Sequence, residues 1–164
     1  MMMRLFAALL GLLLVGPPAT ASAQSAKAEL KDAQGKVVGT AMLNEVSGGV
    51  KIALKASGLK TGDHGFHIHA VGKCEPPAFT SAGGHFNPQS KKHGRLSPDG
   101  AHAGDLPNLK MGADGTGSID VTAGGVTLKD VAGLALVIHA DPDDEKTDPT
   151  GNSGARVACG VISK

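Results

Sequence analysis

The chain of 164 residues carries 16 Lys and Arg against 15 Asp and Glu, with 24 glycines and neither Trp nor Tyr. That length supports one ordinary domain with a single buried core. The balanced charge argues against nucleic acid or an anionic membrane surface as a partner.

The N-terminus, MMMRLFAALLGLLLVGPPATASAQ, has a positive charge at Arg4, an apolar run over residues 5–15, a Pro17-Pro18 break and the triplet Ala21-Ser22-Ala23. This is the layout of a secretory signal peptide with an A-x-A cleavage site. A membrane-spanning helix needs about 20 apolar residues, and the run stops short of that. The expected division is a leader over residues 1–23 and a mature domain over 24–164, exported to the periplasm or the cell exterior. Cleavage removes Arg4 and leaves 15 basic against 15 acidic residues.

Six stretches then alternate or are β-branched: residues 36–43, 50–56, 66–71, 117–122, 134–140 and 156–162. Turn-rich segments separate them, and no stretch has a long capped helical period. The pattern predicts an antiparallel sandwich or barrel with almost no helix. Residues 74–110 and 141–155 break this rhythm, and loops longer than about 12–15 residues in a compact domain are usually functional or disordered. Cys74 and Cys159 allow one intramolecular pairing. In an oxidising compartment they form a disulfide, worth roughly 4.5 kcal/mol on the chain-entropy account.

The histidines carry the chemistry. In GFHIHAVGKC, His67 and His69 share one face of a strand, whereas His64 has the opposite parity and reads as a surface or hydrogen-bonding residue. His67, His69, His85, His93, His102 and His139 remain, with Asp105 three residues after His102. Two four-coordinate ions need eight ligand positions, so these seven groups suffice if one imidazole binds both metals through its two nitrogens. His85 lies between the two groups in sequence and is the candidate bridge. His85, His93, His102 and Asp105 come from one loop and match a closed tetrahedral zinc site. His67, His69, His85 and His139 form an all-nitrogen set that suits Cu(II).

The blocks GFHIH, SAGGHFNP, KKHG, HAGDLPNL, VIHADPDD and TGNSGARVACGVI occur in that order. Through them the mature chain resembles, over essentially its whole length, the copper/zinc superoxide dismutase family. The resemblance implies a Greek-key β-sandwich or barrel of eight antiparallel strands with two long functional loops. It implies one copper and one zinc per chain, with copper on His67, His69, His85 and His139 and zinc on His85, His93, His102 and Asp105. Cys74 and Cys159 match the family disulfide, Arg156 the arginine that receives the substrate anion, and Asp143 the carboxylate that links the two metal sites. Thr150 matches the threonine that narrows the channel.

The implied activity converts two superoxide ions into dioxygen and hydrogen peroxide by one-electron cycling of copper, with Arg156 and His85 catalytic. Residues 143–156 are short by eukaryotic standards, which reduces the charged loop that guides superoxide in those enzymes. A homodimer is left open, since a chain without Trp or Tyr offers few interface anchors. The alternative is a non-catalytic metal-binding or copper-delivery protein on the same scaffold, which needs neither Arg156 nor an open copper face. A purely structural zinc sandwich leaves His67, His69 and His139 without a role. N-terminal sequencing of secreted protein is expected to begin at Gln24; a start that retains residues 5–15 would show the leader to be an uncleaved segment.

Overall fold

Small or branched apolar residues alternating with charged ones build the first strands. The computed structural model describes residues 25–164; the expected leader lies outside them. In β1 (Ser25–Lys31) Ala26, Ala28 and Leu30 face inward and the charged residues face solvent. β2 (Val37–Val46) and β3 (Gly49–Ser57) continue as a meander, and β3 pairs with β7 (Thr116–Gly124). Registry sets Ala28 opposite Ala41, Ala41 opposite Leu54, and Leu54 opposite Ile119. One inward row therefore crosses four strands.

The remaining strands are β4 (Gly62–His64), β5 (Phe66–His69), β6 (Leu109–Met111), β8 (Ala135–His139) and β9 (Arg156–Val161). The sheet runs β4-β6-β7-β3-β2-β1-β9-β8-β5, with antiparallel pairing throughout. Its two ends, β4 and β5, are successive in the chain, so the sheet curls until its edges meet at Gly65. The nine strands among the described residues reconcile with the eight expected at this same point. The run over residues 62–69 is interrupted at Gly65, where it changes partner from β6 to β8. The out-of-order neighbours give the Greek-key pattern.

Three strands escape the sequence pattern. β1 is rich in Ala, Lys and Glu, which have low strand propensity, and β4 and β6 are three residues each. Lys110 consequently belongs to β6, and the two long connections are residues 70–108 and 140–155. Among the described residues, helix is limited to a 3₁₀ turn at Thr80–Ala82 and to α1 (Leu128–Val131), which a Thr127/Asp130 capping box starts. Among the described residues, no helix is long and apolar enough to cross a membrane.

The barrel interior is filled by Leu30, Leu43, Ile52, Leu54, Phe66, Ile68, Leu136 and their neighbours. A smaller apolar cluster lies on the other face of β8, where Ala135 and Val137 pack with Phe79, Ala82 and Cys159. The expected Cys74–Cys159 disulfide is present and ties the first long loop to β9 across 85 residues of sequence. Ile52→Ala removes a fully buried side chain from the barrel. It is expected to cost about 2–5 kcal/mol, read as a lower urea midpoint with an unchanged slope.

Candidate metal centre

β5 carries opposite chemistry on its two faces. Phe66 and Ile68 join the barrel core, so His67 and His69 point outward, under the first long loop. That loop is held along the free edge of β5 by backbone bonds. Ile68 N–H donates to Gly104 O (2.9 Å), Phe86 N–H to Ile68 O (2.8 Å) and Gly104 N–H to Phe86 O (2.8 Å). These contacts put His85 opposite His69 and Asp105 opposite His67. A Cβ at position 104 would stand 2.3 Å from Ile68 O, so only glycine permits the approach.

All seven expected groups come together. His67, His69, His85 and His139 form one cluster and His85, His93, His102 and Asp105 the other, with the ligand atoms of each within 4.8 Å of one another. His67 and His93 are completely buried, and none of the seven is more than 8% exposed.

The outer nitrogens decide which lone pairs point inward. His67 Nε2–H donates to Asp143 Oδ2 (2.6 Å) and His93 Nε2–H to Asp143 Oδ1 (3.0 Å). His69 Nδ1–H donates to the Gly83 carbonyl (2.9 Å) and His139 Nδ1–H to that of Gly154 (3.3 Å). The lone pairs of His69 Nε2 and His139 Nε2 are left facing each other at 3.3 Å. His67 Nδ1, His85 Nε2 and His93 Nδ1 are buried without any hydrogen-bond partner. On the other side His85 Nδ1, His93 Nδ1 and His102 Nδ1 converge on Asp105 Oδ1 at 2.9, 3.1 and 3.1 Å. Converging lone pairs repel unless a cation stands between them, and the donor sets fit copper on the first side and zinc on the second.

Electrostatics divides the two halves. Burial, reinforced by neighbouring cationic groups, lowers the pKa of His69 to about 2, that of His139 to about 3 and that of His85 to about 4. These rings are neutral at pH 7, as metal ligation requires. Burial also disfavours a charged His93, but the nearby carboxylates of Asp105 and Asp143 outweigh it and push its pKa up to about 9. Burial raises and hydrogen bonds from the histidines lower the pKa of Asp105 and Asp143, and the hydrogen bonds win.

Arg156 lies beside the first cluster, close to His69 and His139. Its Nη1 donates to Phe79 O and its Nη2 to Gly83 O, each at 2.6 Å. The Gly83 carbonyl thus anchors both Arg156 and His69. A cleft of about 400 Å³ opens beside the guanidinium, lined by Pro77, Ala78, Thr80, Gly154 and Ala155. Thr150 is exposed and does not line it; Thr80 does.

Residues 37–162 match the family model described as copper/zinc superoxide dismutase. The chain belongs to that family. It is 46% identical over 170 residues to superoxide dismutase (Cu-Zn) 2 of Aquifex aeolicus, covering 98% of this chain and 99% of the relative. It is 44% identical to the superoxide dismutase-like protein YojM of Bacillus subtilis, covering 82% and 74%. Among solved structures, the Cu/Zn superoxide dismutase from Brucella abortus superposes with a TM-score of 0.76 at 35% identity, covering 85% of this chain and 100% of that one. A double mutant of a SOD-like protein from Bacillus subtilis gives 0.80 at 42% identity, covering 84% and 97%.

Within this dismutase fold, several site residues carry no sequence signal of their own. The carbonyls of Phe79, Gly83 and Gly154 act through backbone atoms. Asn108 clasps Asp143 from both sides, accepting its N–H (2.8 Å) and donating to its carbonyl (2.9 Å). Of the two readings of His64, hydrogen bonding holds and surface exposure does not: it is buried, with Nδ1 2.6 Å from His139 O and Nε2 2.8 Å from Lys60 O, so it ties β4 to β8 across the barrel seam. Of the acidic run, Asp141 is exposed, Asp144 staples the loop through Thr147 and Asn152, and Glu145 pairs with Arg95. With the metals placed as the family resemblance implies, Asp143→Ala should keep copper but lose zinc about 10- to 100-fold more readily in a chelator competition, since His69 and His139 sit on the rigid strands β5 and β8. Parental zinc retention would make Asp143 a loop residue only.

Proposed function

We propose that this chain acts as an exported superoxide dismutase. His67 Nδ1, His69 Nε2, His85 Nε2 and His139 Nε2 hold its copper, and His85 Nδ1, His93 Nδ1, His102 Nδ1 and Asp105 Oδ1 its zinc. The shared ring of His85 carries this reading, with one nitrogen 2.9 Å from Asp105 and the other buried and unpartnered.

Copper, when bound, supplies a one-electron couple beside the fixed positive charge of zinc. Arg156 receives the superoxide anion. Two of its N–H groups are spent on Phe79 and Gly83, and the rest of the guanidinium is free for the substrate. His85 Nε2 takes up a proton in the half-reaction that releases dioxygen. It gives that proton to the second superoxide in the half-reaction that yields hydrogen peroxide, and solvent supplies the other. One superoxide is oxidised and one reduced, and two protons are consumed. Asp105 and Asp143 keep the participating rings oriented meanwhile.

The leader and the Cys74–Cys159 disulfide support a periplasmic or extracellular location. A homodimer remains the alternative to a monomer, with exposed Val71 and Val161 as available apolar anchors. The copper-delivery reading draws on the relative named only superoxide dismutase-like. The complete double ligand set and the positioned Arg156 favour catalysis. Arg156→Ile should retain both metals by elemental analysis and lower kcat/KM about 10- to 100-fold at low salt, with a weaker salt dependence. Unchanged turnover would reduce Arg156 to a structural role, and a copper-loaded parent protein that consumes no superoxide would favour delivery.

A further inference from the structure

The four residues read as zinc ligands are not held equally. Asp105 Oδ2 accepts the backbone N–H groups of Gly94 (2.9 Å) and His102 (3.0 Å). His93 is wholly buried and bound through Nε2 to Asp143. His85 is packed against His67, with ring centroids 3.9 Å apart. His102 differs from all three. Its Nε2 lies 4.0 Å from Asp148 Oδ1, outside hydrogen-bond range. Its side chain is 6% exposed, against 2% for Asp105, 1% for His85 and 0% for His93.

His102 also has somewhere to go. His102 and Asp105 line a cleft of about 390 Å³, together with Val121 and Gly124 of β7 and the cationic residues Lys91 and Arg95. None of the four zinc-side residues lines the cleft beside Arg156. A bound ion exchanges through whichever ligand detaches at least cost. A side chain with no anchor on its outer nitrogen and open volume beside it meets that condition.

We propose that zinc enters and leaves through this second cleft, with His102 as its gate. The ring swings outward and opens one side of the site, while His85, His93 and Asp105 stay in place. Zinc then has a door of its own beside β7, apart from the cleft beside Arg156. Lys91 adds a kinetic brake, because a positive charge on the route opposes a dication in both directions and does so more strongly at low salt. This inference rests on the zinc assignment made above.

The test loads metal-free protein with zinc alone and follows uptake, then release to a chromogenic chelator, by stopped flow. Gly124→Val fills the cleft. A Cβ at position 124 meets no atom within 4 Å, and a β-branched residue suits the end of a strand. Zinc uptake and release should both slow about tenfold, a barrier increase of about 1.4 kcal/mol, with the equilibrium affinity unchanged. Gln89→Trp plugs the same cleft from an exposed loop position and gives the same slowing should Gly124→Val fail to fold. Ala78→Leu, in the cleft beside Arg156, should leave the zinc rates as they are. Slowing by Ala78→Leu alone, or unaltered rates in the cleft variants, would overturn the gate. A parent protein that takes up no zinc would overturn the ligand assignment instead.

Discussion

Pointing several imidazole lone pairs at common centres is the constraint on which the rest of this molecule depends. Burial penalises any ring that escapes repulsion by taking a proton, and converging lone pairs repel if it does not. The chain meets both demands by tying the second nitrogen of a ring to a fixed acceptor. Asp143 serves His67 and His93, the Gly83 carbonyl serves His69, and the Gly154 carbonyl serves His139. The outer nitrogens of these rings are thereby fixed, and the cluster becomes favourable when cations occupy its centres.

Those acceptors must themselves be immobile, and this is the work of the barrel and its disulfide. The first long loop pairs with the free edge of β5, which also covers an edge that would otherwise be open to association. The disulfide and the apolar cluster around Phe79 fasten the same loop to β8 and β9. Through Gly83 one carbonyl then positions both a ring of the first cluster and the guanidinium of Arg156. The orientation of that ring and that of the guanidinium are set by a single backbone atom.

The balanced overall charge shows that local placement governs this site. His69, His139 and His85 are driven toward neutrality by burial and by neighbouring imidazoles, whereas the second cluster contains the ionised Asp105, and the ionised Asp143 stands between the two. A set of neutral nitrogens suits a metal that changes oxidation state. A set with a carboxylate suits a fixed dication.

The sequence by itself determined the strand class and singled out the seven candidate donor groups that the fold brings together, because alternation of side chains and a count of donors are local or additive properties. His67 and His69 were legible as a pair from parity alone. Family blocks singled out Asp143 from Asp144 next to it, since two adjacent aspartates of identical chemistry differ only in what the folded loop brings near them. Tertiary structure alone decided the rest. β4 and β6 exist through their partners rather than their composition, and His64 is buried because the two edges of the sheet meet there. The carbonyls of Phe79, Gly83 and Gly154 became acceptors for the same reason: every residue carries a carbonyl, and only the path of the chain decides which ones converge on a buried ring or a guanidinium.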